Sequence, residues 1–399
     1  MSHTRMRKTW PIGPAILVIA LASATGRAQS PAEPPPVKAD STAAPTSSGS
    51  KFIDPDDGWF DLSAFLDTGH GFVPLVIPIT EPAVGYGLAG ALVFIDKNPP
   101  GPSGGYRRPN IAAVGGLYTE NETWAGFAGH SGSWDGDRWQ TLVGGIYGSI
   151  NLDFYGIGEG ELNDEPVAYS LDPAGALGRA SYRVGSTPVI LGLGYAFANM
   201  DVSFTGDVPP GIENRELNAR VAGFTPSITW DTRSNYFTPI TGLYASVEPG
   251  IYLEALGGTT DFERINTTLL VFQPVGKRIC LGLKGEGAFS FGDAPFYTRP
   301  FVSLRGVAAL RYLGEHAASA ELEARWQFYK RLSLVGFVGS GIAWTTFDNL
   351  DTQQDVVAGG GGIRYEIARR YGLHMGLDLA FGPDDGVVYV QFGHAWLKP

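Results

Sequence analysis

The chain has 399 residues, of which 55 are Gly, 12 % are aromatic and one, Cys280, is Cys. Its 29 Lys and Arg against 40 Asp and Glu give a formal net charge of −11. This acidity argues against a nucleic-acid partner, because nucleic acid requires clustered Lys and Arg. A lone cysteine excludes an intramolecular disulfide, and the absence of any apolar run of about 18 residues excludes helical membrane spans.

The first 57 residues are predicted to precede the folded domain. Residues 1–28 are typical of a secretory signal peptide, with basic residues before an apolar run at 12–24 and a small-residue cleavage site. Its removal leaves 25 Lys and Arg against 40 Asp and Glu, a formal charge of −15. Residues 29–57 are rich in Pro, Ser, Thr and Ala without periodicity and predict a disordered leader. Residues 58–399 form the predicted barrel domain.

The rest of the chain predicts about sixteen β-strands of the length that a tilted strand needs to cross a bilayer. Turn residues such as Asp135-Gly136 and Gly257-Gly258 separate them. The predicted strands are residues 72–80, 83–95, 110–120, 124–134, 138–150, one within 167–184, 188–204, 217–231, 243–254, 261–272, 279–291, 319–328, 332–344, 356–367, 371–381 and 387–396.

Alternation along these strands separates an apolar face from a polar or small one. Residues 319–328 show it most clearly, with Glu321, Glu323 and Arg325 on the face opposite Leu322 and Trp326. A soluble sandwich gives the same pattern, whereas a transmembrane barrel turns the apolar face to lipid. The even strand number, the aromatic residues near strand ends and the signal peptide favour an all-β, transmembrane antiparallel barrel in contact with membrane lipids.

Three motifs stand out between and after the strands. Their residues are Leu304, Arg305 and Gly306 in the long segment between the eleventh and twelfth strands; Asp231, Arg233, Phe237, Pro239 and Gly242 in a predicted hairpin; and Phe392, Gly393 and Trp396 in VYVQFGHAW near the end of the chain. A segment of more than twenty residues between strands of a compact domain is usually functional or disordered.

From about Trp59 onward, these motifs resemble the BamA/TamA-type outer-membrane barrels, or bacterial surface antigen superfamily. The resemblance implies a Gram-negative outer-membrane barrel whose long loop folds into the lumen with Arg305 at its tip. It also implies that the closing motif with Trp396 is recognised by the outer-membrane assembly machinery. The sequence departs from the family pattern at Val307, where Phe or Tyr is usual, and at Gly339, where Asp is common.

The resemblance implies a role in outer-membrane biogenesis or translocation. No POTRA repeats are found before the barrel, so this role is expected to involve a separate periplasmic partner protein. A diffusion pore or structural barrel on the same scaffold is the alternative function. A soluble extracellular β-protein is a third possibility, and it would fractionate without membranes.

A cation inside a barrel lumen needs a carboxylate or carbonyl partner. Glu323 is the first candidate for Arg305, followed by Glu321, with Arg325 on the same strand face. Glu286 and Glu366 are further candidates, because they also lie on polar strand faces.

No enzyme activity, metal or cofactor is expected. His374 and Asp378 share a strand face, but at about 3.3 Å per residue they lie roughly 13 Å apart. No zinc-ligand spacing and no phosphate-binding glycine loop is found.

Overall fold

The computed structural model describes residues 52–68, 71–96, 110–158, 162, 164–346, 354–383 and 386–397. The predicted signal peptide and residues 29–51 of the predicted leader lie outside these residues. Sixteen strands form one antiparallel sheet in which each strand pairs with the next along the chain. The prediction of an all-β transmembrane barrel of about sixteen strands is confirmed.

The strands are β1 Gly71–Glu81, β2 Gly85–Asp96, β3 Asn110–Thr119, β4 Trp124–Trp134, β5 Trp139–Phe154, β6 Val167–Arg183, β7 Val189–Phe204, β8 Asn218–Asp231, β9 Gly242–Tyr252, β10 Phe262–Val275, β11 Ile279–Gly292, β12 His316–Tyr329, β13 Leu332–Trp344, β14 Gln354–Ala368, β15 Leu373–Phe381 and β16 Gly386–Phe392. Two short helices, α1 Ser63–Thr68 and α2 Asn214–Leu217, accompany them, with 3-10 turns at Glu254–Leu256, Phe296–Thr298 and Arg369–Tyr371. Within the described parts of the chain, no helix is both long enough and apolar enough to cross a membrane.

The side-chain alternation of the strands sets the inside and outside of the barrel. On β12, Leu322 and Trp326 point outward and are about half exposed, whereas Glu321, Glu323 and Arg325 are buried in the lumen. This is the inverse of a soluble protein, and it is the arrangement of a barrel whose outer face contacts lipid.

The connections divide the barrel into two ends. We call the end that carries residues 293–315 the loop end and the opposite one the turn end. Residues 293–315 fold back into the lumen, where Phe296, Val302 and Leu304 are almost completely buried. The predicted lumenal loop is therefore present.

The two edges of the described sheet face each other along a line that we call the seam. β1 and β16 are the two ends of the strand order and approach each other, but no ladder pairs join them among the described residues. Pro74 and Pro78 lie within β1. Proline lacks the N–H donor of a ladder, so within sheets it is confined to edge strands, strand starts and bulges. These prolines suit β1 to a weakly paired edge.

The last strand differs from its predicted bounds. β16 ends at Phe392 rather than at Trp396. Gly393 has φ +77°, a left-handed conformation that glycine adopts without strain, and the chain then turns into the lumen. The alternation of VYVQFGHAW continues past this glycine, which is why the sequence predicts a longer strand. The prediction that residues 393–396 belong to the strand is wrong.

Candidate functional site

Residues 293–315 are held in the lumen by apolar packing and by backbone contacts. The Phe296 ring packs against Phe154 and Tyr169, with ring centroids 5.1 and 5.3 Å apart. Nearer the tip, the Ser303 carbonyl accepts hydrogen bonds from Lys284 Nζ at 3.0 Å and from Ser319 Oγ at 3.2 Å. These contacts bring Arg305 to the inner wall formed by β12 and β13.

The Arg305 guanidinium lies among three carboxylates. Its Nε donates to Glu321 Oε1 at 2.9 Å, and its Nη2 donates to Glu323 Oε2 at 2.7 Å. Its Nη1 donates to Asp378 Oδ2 at 3.0 Å. The guanidinium carbon also lies 3.6 Å from the centroid of the Phe337 ring, a cation–π arrangement.

Two strands on the far side of β13 add a second cation and a third carboxylate. Arg364 on β14 donates from Nη1 and Nη2 to the two oxygens of Asp378 on β15, at 2.6 and 2.7 Å. Asp378 thus joins Arg364 to Arg305. All these side chains are at most 8 % exposed. We call Arg305, Glu321, Glu323, Arg364 and Asp378 the lumenal charge network.

Gly306 allows the backbone of the loop tip to lie close to the backbone of β15. Its φ is +92°, and a Cβ there would lie 3.1 Å from the carbonyl carbon of Phe381. Its N–H donates to the Tyr389 hydroxyl at 2.8 Å. A side chain at this position would push the loop tip away from β15 and β16.

The closing motif reaches the same network from the turn end. Trp396 is 4 % exposed, and its Nε1 donates to Glu321 Oε1 at 2.5 Å. His394 Nε2 lies 3.0 Å from Glu323 Oε1. The closing aromatic therefore lies inside the lumen, in contact with the carboxylates that hold Arg305, rather than on the outer face of β16. Phe392 is the last residue of the strand.

The hairpin motif supports the closing motif. Asp231 and Arg233 form an ion pair of which the side chains are 3 % and 1 % exposed, with Nη2 2.9 Å from Oδ2. The carbonyl of Phe237 accepts from the His394 N–H at 2.6 Å, and that of Pro239 accepts from Arg325 Nη2 at 3.2 Å. Arg325 therefore contacts the hairpin and is not a partner of Arg305.

Gly242 begins β9 with φ +109°, and a Cβ there would lie 2.3 Å from the Thr232 carbonyl oxygen. Only glycine suits both the conformation and the space.

Solved structures identify the fold. BamA from Haemophilus ducreyi lacking POTRA domains 1–3 is similar with a TM-score of 0.53 and 12 % identity, over 86 % of this chain and 79 % of that one. CdiB from Escherichia coli is similar with a TM-score of 0.55 and 12 % identity, and CdiB from Acinetobacter baumannii with 0.53 and 10 %. The chain has the fold of a BamA-type barrel.

The coverage of the CdiB structures is partial. The chain covers 61 % and 56 % of those two chains, while 80 % and 79 % of its own length is matched. No protein-family model matches this sequence, and no curated protein matches it.

In this BamA-type barrel, Asp378 is a partner of Arg305 that was not predicted from the sequence. Its place on a polar strand face is visible in the sequence, but its contact with a residue 73 positions earlier is not. The presence of Gly339, where Asp is common in the family that the sequence resembles, has a related explanation. A Cβ at this position would lie 2.7 Å from Leu304 Cδ2. Leu304 occupies the space that a larger side chain would need, and Asp378 supplies a carboxylate from two strands away.

Two further candidate partners of Arg305 lie elsewhere. Glu286 binds Lys284 Nζ at 2.9 Å. Glu366 lies near the turn end, where its N–H donates to the Arg331 carbonyl. No group of three or more His, Cys, Asp or Glu residues in the described ranges is arranged to hold a metal ion.

The described residues before β1 form a strap across the turn end, which we define as residues 52–68. Arg331, in the turn between β12 and β13, binds Asp54, Asp57 and Asp61 of the strap with N–O distances of 2.5 to 2.7 Å. Trp59 packs against Tyr365 with ring centroids 6.0 Å apart. Residues 52–57, which the composition assigned to the disordered leader, therefore contact the barrel.

Electrostatic contacts, as well as side-chain packing, hold the strap on the barrel. Burial by itself would raise the pKa of the Asp61 carboxyl, but hydrogen bonds from Ser63 and Arg331 lower it to about 2. The pKa of Asp57 is lowered by its hydrogen bond with Arg331. Both groups are thus carboxylates at neutral pH and bind a permanent cation.

Proposed function

We propose that this BamA-type barrel is an outer-membrane protein that assists the assembly or translocation of other polypeptides, acting at its seam. The observation that carries the proposal is the seam itself. A strand edge exposes unpaired N–H and C=O groups, and such an edge can pair with an incoming strand of another chain. The BamA and CdiB structures lend support through the shared fold.

The filled lumen favours this function over the alternative of a diffusion pore. Residues 293–315 occupy the lumen, and their apolar part packs with Phe154 and Tyr169 at the loop end. The turn end is partly covered by the strap and by the closing motif. Solutes thus meet side chains at both ends, whereas the seam is closed only by approach of two strands.

A disulfide across the seam tests the proposed function. Single cysteines in residues 76–80 and 387–391 would be paired in a Cys280→Ser background, and the pair that oxidises most completely would be used. In liposomes, the reduced barrel should accelerate membrane insertion of an unfolded outer-membrane protein, and the oxidised barrel should not. Each single-cysteine variant under oxidant is the matched control. Equal acceleration by oxidised and reduced protein would refute action at the seam.

The export route and the partners belong to the same proposal. We propose that residues 1–28 direct export, that the assembly machinery recognises the closing strand, and that a separate periplasmic protein delivers client chains. Detergent extraction followed by co-purification on the tagged barrel would identify such a partner. Recovery of the barrel alone, with active insertion in liposomes, would remove the need for a partner.

A further inference from the structure

Two adjoining cavities remain in the lumen beside the loop. The larger, which we call the polar cavity, has a volume of about 570 Å³ and is lined by side chains of β5 to β12 and by the loop, with both apolar and charged residues among them. The smaller, of about 200 Å³, is lined by apolar side chains and glycines of β3 to β7. Leu142, Leu177 and Ala196 line both, so the two cavities meet at these side chains. The larger cavity alone falls in the range of about 300–1,000 Å³ that is usual for ligand pockets.

The apolar cavity is unusual because it faces the lumen. Val143 points outward and is exposed, so its neighbour Leu142 points inward. Leu177 stands on the lumenal face of β6 together with Arg179 and Arg183, yet it is 38 % exposed. A large apolar side chain left open on the wet side of a barrel costs free energy, and a bound apolar group would recover it.

The polar cavity contains a cation that forms no ion pair with the described residues. Arg264 lines it and donates from Nε to Asn266 Oδ1 at 3.0 Å and from Nη1 to the Thr298 carbonyl at 2.7 Å. No carboxylate among the described residues lies within 4 Å of its guanidinium. A cation in a site of reduced hydration that has only neutral acceptors retains attraction for an anion.

A second cation lies near Arg264. Arg179 reaches from β6 to Glu248 on β9 and forms an ion pair with it. Glu248 pairs in register with Asn266, two residues from Arg264 on the neighbouring strand. The charged side chains that line the polar cavity are Arg179, Glu248, Arg264 and Glu286. Glu248 is paired with Arg179 and Glu286 with Lys284, so Arg264 is the lining cation that remains for an anionic ligand.

We propose that the lumen binds a single-chain amphiphile with an anionic headgroup, such as a long-chain carboxylate. Its chain lies in the apolar cavity against Leu142 and Leu177, and its headgroup lies at Arg264. Each buried methylene strengthens binding about fourfold, so affinity should rise with chain length and depend on headgroup charge. The proposal does not depend on the action of the seam.

Equilibrium dialysis of the barrel in amphipol tests the proposal, with laurate, dodecanol and acetate as probes. Leu177→Trp fills the apolar cavity, and Ala196→Leu fills it less severely in case the first variant fails to fold. Leu193→Trp places the same bulk on the outer face of β7, where Leu193 is exposed, and is the matched control. Arg264→Gln removes the headgroup charge. Because all variants carry the same amphipol belt, differences between them isolate lumenal binding.

Wild type and Leu193→Trp should bind one laurate saturably, with acetate undetectable at the same concentrations. Leu177→Trp should weaken laurate binding at least tenfold, and Ala196→Leu should weaken it in the same direction. Arg264→Gln should weaken laurate about tenfold and leave dodecanol unchanged. Equal laurate binding by wild type and a folded cavity-filling variant would overturn the proposal. So would equal affinity of wild type for laurate and dodecanol, or laurate binding that survives Arg264→Gln.

Discussion

Arg305 connects the loop tip to β12 and β15 through three carboxylates, and the closing motif shares two of them. Such a group differs from a surface ion pair, because removing one member leaves buried charges without partners. The cost is about 3–5 kcal/mol for a buried pair, against about 0–1 kcal/mol for an exposed one. The sequence correctly places Glu321 and Glu323 on the face that meets Arg305, but strand parity cannot say which groups meet across a lumen.

Asp378 provides the first prediction at this scale. Asp378→Ala should lower the free energy of unfolding by about 3–5 kcal/mol, because Arg305 and Arg364 then lie close together without their shared carboxylate. Urea unfolding in lipid bilayers, followed by the difference in electrophoretic mobility between unheated and boiled samples, measures the change. Asp355→Asn, at an exposed position of β14, is the control. A change below about 1 kcal/mol for Asp378→Ala would exclude this role.

Trp396 gives a prediction that separates packing from recognition. Trp396→Ala should destabilise the folded barrel by about 3–5 kcal/mol, as truncation of a buried Trp does, since its ring packs on His394 and its Nε1 binds Glu321. Removal of residues 397–399 should have little effect on the folded fraction. If Trp396→Ala lowers folding in cells but leaves unfolding in purified bilayers unchanged, Trp396 is read by the assembly machinery and is not a structural residue.

At the scale of the elements, period-two alternation predicted all sixteen strands, and the bounds of β4 and β13 match exactly the residues that were expected. Some errors are of boundaries alone: β5 runs to Phe154 and not to residue 150, and β12 begins at His316 and not at residue 319. Others lie where a local conformation overrides the pattern. Gly393 ends β16 although the alternation continues, and residues 52–57 bind Arg331 although their composition resembles a linker. Contacts between residues 270 or more positions apart, such as those of Arg331 with the strap, leave no local sequence signal.

The strap gives a prediction of pH dependence. The pKa of Asp61 is lowered to about 2, so its contribution to docking is complete above its unfolded-state value of about 3.9 and is lost as the pH falls through about 2. A nitroxide on Asp56→Cys, in a Cys280→Ser background, should be immobile at pH 7 and mobile below about pH 2. Arg331→Ala should make the label mobile at pH 7. An immobile label in Arg331→Ala would show that the aromatic contacts of Trp59 suffice to hold the strap.

At the scale of the whole molecule, the lumen is blocked toward its two ends, and the wall is unpaired at the seam. Residues 293–315 and the closing motif enter from opposite ends and meet at the lumenal charge network, while the strap crosses the turn end. The seam is the part of the wall that no ladder closes in the described strands. This distribution of strong and weak contacts directs any opening to the side rather than through the lumen.

Conductance measurements test whether residues 293–315 block the passage of ions through the lumen. Single barrels in a planar bilayer should show no steady ohmic steps, because the loop and its aromatic contacts close the loop end. Replacement of residues 296–312 by a short Gly-Ser linker should produce such steps, provided that the variant still shows heat-dependent electrophoretic mobility. Steady conductance by the wild-type barrel would favour the diffusion pore.

Protease protection of residues 293–315 tests most directly whether Arg305 holds the loop in the lumen beside the closing motif. In folded barrels, Arg305→Ala and Glu323→Ala should each expose the loop to cleavage, and the double variant should be no worse than the more sensitive single one, because both changes break one network. Arg299→Ala, which removes a more exposed ion pair with Glu315 from the same loop, should leave protection unchanged. A loop that stays fully protected in Arg305→Ala would contradict its docking by this residue.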